Sequence, residues 1–323
     1  MALAVLKFGG TSLSTQEKRE YVYDKIISYK KRYEDLIIVV SAQGREGDPY
    51  ATDTLINLIE SQSRESNKRE IDMIYSCGEI ITASIVASGL CEKGYPSISM
   101  TGWQAGIMTD SNHFDANILN INTKTIRKHL SSGKVIVVAG SQGLTLNGDI
   151  TTLGRGGSDT TAVSLGSVLK AESTIIYTDV EGIMTADPKL IDTAIVIKNA
   201  DFQFCNAYSE YGAKVIHNKA TRIAHRMKCN NLYIRSTFLD SQGTKITNHK
   251  EKVFGVACDV NSRDVVIVHN HPVKSYEHKI ASIIKRHEAV DIRMLKNLVR
   301  FNLPEENFTF SVKEIHNEIL VDF

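Results

Sequence analysis

Six short runs rich in β-branched residues recur along the chain, at 4–10, 36–42, 96–101, 134–140, 173–179 and 231–236. Between them lie longer stretches with apolar residues at helical spacing, at 15–33, 53–62, 69–90, 114–131, 158–170 and 207–228. An alternation of this kind predicts a mainly parallel sheet covered by helices, because each crossover must lay its apolar stripe back on the sheet. Several of the runs end in Gly, Ser, Thr or Asp, as in AVLKFGG, LIIVVSA and STIIYTD. Ligands of open α/β sheets sit beyond the carboxyl ends of the strands, so these small polar residues mark where a site is expected.

The character of the chain changes at DSQGTKITNHKEK (240–252), which is polar, lacks strand or helix period and reads as a linker. With 323 residues there is room for one large α/β domain, 1–247, and a small unit, 253–323. In the small unit VFGVACD and DVVIVHN read as strand material, YEHKIASIIKRHE as an amphipathic helix, VDIRMLKNLVRF and NFTFSV as strands and KEIHNEIL as a short helix. Taken as β-α-β-β-α, this is an α+β ferredoxin-like module one strand short of βαββαβ.

Thirty-eight Lys and Arg balance 37 Asp and Glu, with no basic stripe interleaved with aromatics, which speaks against nucleic acid as a partner. The apolar run at the N-terminus is too short for a signal peptide and no stretch reads as a membrane span, so no membrane partner is expected and the expected location is the cytoplasm. Five scattered cysteines without a C-x-x-C pair suggest neither a disulfide framework nor a zinc site. His269 and His271 share one face of an extended stretch, but no third ligand accompanies them and no metal site is assigned.

The stretch TTLGRGGSDTTA (151–162) crowds three glycines, one arginine, one aspartate and hydroxyl side chains together, as either an anion site or a surface turn would. Ser158 or Asp159 would pass into a helix and leave N-terminal amides facing an anion. KFGGTS (7–12) places a lysine in an apolar strand, where Lys7 either meets phosphoryl charge beside the amides of Gly9, Gly10 and Thr11 or keeps its head in water. Glu79 in SCGEIITA can bind an ammonium group or simply favour a helix start. YTDVEGIMTADPK (177–189) can hold adenine and ribose, using Asp179 and Lys189, or be a tight connection. Neither a Walker loop nor a dinucleotide fingerprint is present, since SGKV lacks the upstream glycines and GRGGSD has Asp159 where Gly or Ala is needed.

The order of these motifs, K-F-G-G-T-S, V-V-S-A, S-C-G-E, T-L-G-R-G-G-S-D-T-T-A, Y-T-D-V-E-G-I-M-T-A-D-P and G-A-K-V-I-H, resembles the aspartate kinases of the amino-acid-kinase family over about residues 5–247. The resemblance implies a three-layer αβα sandwich and transfer of the γ-phosphoryl group of Mg-ATP to the side-chain carboxylate of L-aspartate. It implies that Lys7 stabilises the transferring group, with Gly9, Gly10, Thr11 and Ser12 along the phosphates, and that Asp159 orients Lys7. Arg155 would grip the α-carboxylate and Glu79 the amino group, with Ser41, Thr152 and Ser158 lining the pocket. Thr178, Asp179, Met184, Asp187, Lys189 and Lys214 would lie on the ATP side, Met184 standing where many relatives have tyrosine. His217-Asn218 replaces the usual His-Pro, which should alter a helix start.

Relatives usually carry two ACT modules in tandem that together bind lysine or threonine as feedback inhibitor. One incomplete ACT-like module leaves that effector open, and its bare sheet edge predicts a homodimer through this region. Two alternatives share the motifs: a kinase of another small acid, decided by residues 45–50 and by Thr109 and Asp110, and a ligand-sensing relative without catalysis.

Overall fold

The computed structural model describes residues 2–62, 67–211, 216–229, 231–270, 275–295 and 297–322. Its first third contains β1 (Leu3–Phe8), α1 (Gly10–Leu13), α2 (Gln16–Lys30), β2 (Asp35–Val40), α3 (Thr52–Glu60), α4 (Lys68–Glu92) and β3 (Ser97–Met100). Next come β4 (Ile107–Thr109), β5 (Ile118–Ile121), α5 (Lys124–Leu130), β6 (Val135–Ala139), β7 (Gln142–Leu144), β8 (Ile150–Thr152), α6 (Gly157–Val168) and β9 (Ser173–Thr178). Then follow β10 (Asn199–Asp201), α7 (Phe202–Glu210), α8 (Asn218–Arg226), β11 (Leu232–Ser236) and β12 (Thr244–Thr247). The chain continues through β13 (Phe254–Asp259), β14 (Asp264–His269), α9 (Ser275–Arg286), β15 (Val290–Leu295), β16 (Leu298–Asn302) and α10 (Phe308–Leu320).

The main sheet has the order β10-β12-β11-β9-β1-β2-β6-β3, and its pairs are parallel apart from β11 with β12. Its central strands are apolar on both sides because both are covered. Leu6, Phe8, Ile38, Val40 and Val137 pack under α2 and α4, whereas Val5, Ile37, Val39, Ile136 and Val138 pack under α5 and α6. These are the three layers that the resemblance implies. Helix α4 alone among the described helices is long and apolar enough to cross a membrane, yet it lies against this sheet with Asp72 and Glu79 buried along it.

β1 sits where the strand order reverses, with β9 on one side and β2 on the other. Register then aligns the strand ends, since Phe8 lies opposite both Val40 and Tyr177, Val40 opposite Ala139, and Thr178 opposite Ser236. Gly9, Ser41, Gly140 and Asp179 therefore follow at the same edge of the sheet, at a topological switch point.

Five of the expected elements differ, the first being VDIRMLKNLVRF, which is not one strand but the antiparallel pair β15 and β16. The helix expected over 114–131 is cut short, because 118–121 pairs with β4 and only Lys124–Leu130 is helical. The helix expected over 207–228 is two helices, and the second starts at Asn218 with His217 accepting from Lys219 N–H as its cap. Within the presumed linker 240–252, Thr244–Thr247 joins the main sheet and buries Thr244 and Ile246 at strand spacing. NFTFSV is no strand. Phe308, Val312, Ile315 and Ile319 are one buried helical stripe, while Phe310 is 62% exposed.

The C-terminal sheet, in the order β13-β14-β16-β15, is antiparallel throughout and carries α9 and α10 on its buried face. Its fourth position, expected to stand empty for lack of a last strand, is filled from the N-terminal side by β13. The sheet edge beside β14 is thereby covered.

Candidate active site

Lys7 is the last but one residue of β1, and its Nζ lies 2.7 Å from Asp159 Oδ1 in the first turn of α6. Both side chains are nearly buried, 13% and 10% exposed, so each compensates the other's lost hydration. Gly10, two residues beyond the strand, is the position where no side chain is tolerated. A Cβ on Gly10 would stand 2.1 Å from the Ala42 carbonyl oxygen, so the loop after β2 can close on the loop after β1 only over bare backbone.

Gly156 turns the chain into α6 at φ +68°, a conformation glycine adopts readily, and its lack of Cβ makes room for the His217 ring. Helix α6 has no side-chain cap, which leaves amides of its first turn available to an anion. Arg155 stands exposed immediately before it and has no carboxylate partner among the described residues. Ser158 is buried close to Gly140, which follows β6, the strand beside β2, and Ser41 follows β2, so Ser41 and Ser158 lie on the β2 side of Lys7.

Glu79 rises from the middle of α4 and is 1% exposed. Its Oε1 accepts from Ala42 N–H at 3.2 Å, while Oε2 has no partner among the described residues. Burial pushes the carboxyl group up to about 8, against the smaller opposing effect of the Ala42 hydrogen bond. A buried carboxyl group with one unsatisfied oxygen can accept from a cationic ligand group. The Tyr75 hydroxyl, also raised by burial and then by Glu79, accepts from Ser141 Oγ at 3.4 Å.

On the other side of β1, Thr178 and Asp179 end β9, and two cavities meet at Asp179. One, of about 330 Å³, is lined by Thr178, Asp179, Met184, Asp187, Lys189 and others. The Asp187 carboxylate accepts from Lys189 N–H at 2.9 Å and shapes this turn. The second cavity, of about 240 Å³, is lined by Thr11, Ser14, Lys18, Gly44, Arg45, Asp48, Asp179 and Phe238. Arg45 reaches Asp179 Oδ2 at 3.3 Å, both groups being well exposed.

The expected site residues fall into a group at the strand ends beside Lys7 and a group lining the cavities at Asp179, with two departures. Ser12 is fully buried and bonded to Thr237 Oγ1 at 2.7 Å, so its hydroxyl ties α1 to the end of β11 and does not line a phosphate path. Thr152 is fully buried with its hydroxyl donated to Asp72, so it supports the pocket from behind. Lys214 and His271 lie outside the described residues. His269 packs edge-on against Tyr276.

Several supporting residues were missed. Asp72 accepts from the Phe114 N–H and lies 2.7 Å from His113 Nδ1, and Lys219 holds Asp115 at 2.6 Å and the Leu153 carbonyl at 3.0 Å. The signal for the first was present: Asp72, Ser76, Glu79 and Ala83 recur at helical spacing on one buried stripe, where polar residues need partners. Lys219 carried no such mark, because its contacts come from distant loops.

A sequence profile of the amino acid kinase family matches residues 2–236. An aspartokinase of Geobacillus stearothermophilus is 43% identical over 253 residues, which is 78% of this chain and 60% of the relative. An aspartate kinase of Stutzerimonas stutzeri is 34% identical over 327 residues, covering 99% of this chain and 78% of the relative. Among solved structures, aspartokinase III of E. coli in complex with aspartate and ADP superposes with a TM-score of 0.68 at 22% identity, over 93% of this chain and 78% of that one, a likeness of fold. The chain spans about three fifths of the length of the first curated relatives it matches. It belongs to the amino acid kinase family and, within that family, to the aspartokinases.

Proposed function

We propose that the chain transfers the γ-phosphoryl group of ATP to the β-carboxylate of L-aspartate, forming 4-phospho-L-aspartate and ADP, the first step toward lysine, threonine and methionine. The observation that carries this reading is the Lys7–Asp159 pair at the switch point, with Glu79 against the loop after β2, Arg155 just before the helix that carries Asp159, and two cavities that share Asp179 at the end of β9. The relatives named above supply the substrates by analogy, since the E. coli structure holds aspartate and ADP.

A carboxylate is already ionised at neutral pH and attacks without a general base. Its oxygen bonds to the γ-phosphorus as the bond from that phosphorus to the β–γ bridging oxygen breaks, and ADP leaves with the electron pair. The chain's task is to position the two substrates and neutralise charge. Lys7 places one ammonium at the developing charge and is held there by Asp159. Arg155 and the first-turn amides of α6 hold the α-carboxylate, and Glu79 Oε2 accepts from the α-ammonium. Gly9, Gly10 and Thr11 border the phosphate path, and Thr178, Asp179, Met184, Asp187, Lys189 and Lys214 serve the nucleotide.

Asp179, which lines both cavities, is the residue whose carboxylate would hold Mg²⁺ brought in with the nucleotide. There it would neutralise phosphate charge. The same proposal places the protein in the cytoplasm as a homodimer joined through its C-terminal, ACT-like module, with lysine or threonine as the effectors to try.

Trapping acyl phosphate with hydroxylamine tests the reading. Purified protein with Mg-ATP and L-aspartate should yield aspartyl hydroxamate, glutamate should yield little, and Lys7→Ala should lower the rate roughly 10²–10³-fold. Product with another small acid in place of aspartate would move the substrate. No product with any acid, while nucleotide still raises the melting temperature, would leave a ligand sensor.

A further inference from the structure

The larger cavity has a wall that comes from outside the family match: Val256, Ala257 and Cys258 of β13 line it together with Met184 and Asp187. β13 is fixed to the 183–187 segment by main chain, since Val256 N–H donates to the Thr185 carbonyl at 2.7 Å. That segment is built into the core of the C-terminal module, where Ala186 and Ile191, 3% and 1% exposed, pack with Phe254, Val256, Ile280 and Ile315. From α10 the fully buried His316 ring meets the Thr185 hydroxyl at 2.8 Å, and Thr193 Oγ1 donates to Asn317 Oδ1 at 2.6 Å. Thr185 is therefore held twice by the module, through its carbonyl by β13 and through its side chain by α10. Its neighbours on either side, Met184 and Ala186, both face the cavity.

We propose that the C-terminal module is a structural part of the nucleotide site. Ala257 and Cys258 form a wall that touches the bound nucleotide, and His316 is a positioning residue that holds Met184 and Ala186 in place through Thr185. This rests on the nucleotide reading of the cavity. A separable appendage would meet the catalytic domain through side chains at the surface. Here the loop that shapes the cavity has its apolar residues inside the module's core, so loop and module order together. The Thr185 hydroxyl also accepts from Ile195 N–H at 3.1 Å, so removing the ring leaves it one buried hydrogen bond short and loosens the segment on the side of α10.

The test uses the full chain. Affinity for a fluorescent ADP analogue with Mg²⁺ is measured for His316→Leu, His316→Gln and Met184→Trp. His316→Leu should weaken binding about tenfold, and His316→Gln, whose amide can still reach Thr185, should recover most of it. Protection of the fold by aspartate should be unchanged in both. In parallel, alkylation of Cys258 by N-ethylmaleimide is followed by mass spectrometry in a Cys77→Ser, Cys91→Ser background, those two thiols being exposed. Burial pushes the Cys258 thiol up to about 11, so labelling is run at pH 9. Mg-ADP should slow labelling at least tenfold.

Unprotected Cys258 together with normal binding by His316→Leu would overturn the proposal, even if Met184→Trp binds poorly and so keeps the nucleotide in the cavity. If Met184→Trp also binds normally, the nucleotide reading of the cavity falls and the proposal with it. Should His316→Leu not fold, the labelling arm decides alone.

Discussion

Four charged groups divide the work at the candidate site, and three different balances place them. Lys7 and Asp159 tolerate burial because they have each other. Arg155 stays in water and open-handed, which suits a group that must grip an incoming carboxylate with two parallel hydrogen bonds. Arg155→Lys keeps the charge and loses the fork, so KM for aspartate should rise roughly 10–100-fold with kcat little changed, the loss of one charge-assisted bond. An equal fall in kcat would mean that Arg155 acts on the transition state instead.

Glu79 makes the sharper prediction at this scale. With its pKa raised to about 8, it is neutral in the empty site at pH 7 and must ionise to accept the ammonium group of aspartate. Binding should therefore release a proton below pH 8, seen as a calorimetric enthalpy that changes with the ionisation heat of the buffer. Affinity should rise with pH toward 8. The folded-state pKa lies above the unfolded value, so this group's effect on stability is most favourable at low pH and is lost between about 4.5 and 8. Glu79→Gln should then bind aspartate poorly, yet melt higher than the parent at pH 8.5 and close to it at pH 5. Equal melting at both pH values would place the Glu79 carboxyl in the ordinary range.

At the scale of elements, the two glycines after β1 separate packing from chemistry. A Cβ on Gly10 would meet backbone oxygens of Ala42 and Gly44 at 2.1 and 3.2 Å, which only a shift of the loop after β2 relieves. Gly10→Ala should cost roughly 1–3 kcal/mol, seen as a lower melting temperature. A Cβ on Gly9 would lie 3.6 Å from Lys7 Nζ, an ordinary contact, in a backbone conformation open to alanine. Gly9→Ala should melt like the parent and turn over slowly, because the crowding falls where phosphate must come. If Gly9→Ala is fully active, the phosphate path does not run past that backbone.

What the sequence made legible at this scale follows from whether a segment's pattern had one cause or two. The strands β1, β2, β6 and β9 are apolar on both faces because helices cover both, and no other arrangement competes for such runs. The motif glycines and charges were legible because bare backbone next to charge has few uses. Residues 118–121 and 244–247 were not, since pairing with distant strands decides them against their local pattern. NFTFSV fits strand alternation and a helical stripe equally, and the buried faces of α10 settled it. Ser12 and Thr152 sat in the right motifs, but their hydroxyls found Thr237 and Asp72, partners 225 and 80 residues away.

For the whole molecule, the open question is what the far edge of the C-terminal sheet does. β13 covers one side of that sheet and is itself held by the 183–187 segment, so the strand left at the rim is β15. Among the described residues its backbone is bonded on one side only, to β16, and it carries Val290, Met294 and Leu295 at 56%, 41% and 61% exposure. A rim strand with apolar side chains in water invites a second strand. Two copies meeting edge to edge would extend both sheets and bury these residues, while each catalytic site, built within one chain, stays whole. Light scattering at micromolar protein should therefore give twice the chain mass of 35.9 kDa. Met294→Lys with Leu295→Lys puts like charges on both copies at the rim and should yield monomers that retain kinase activity and nucleotide affinity. A parent protein that is monomeric, or a double variant that stays dimeric, would remove β15 as the joint.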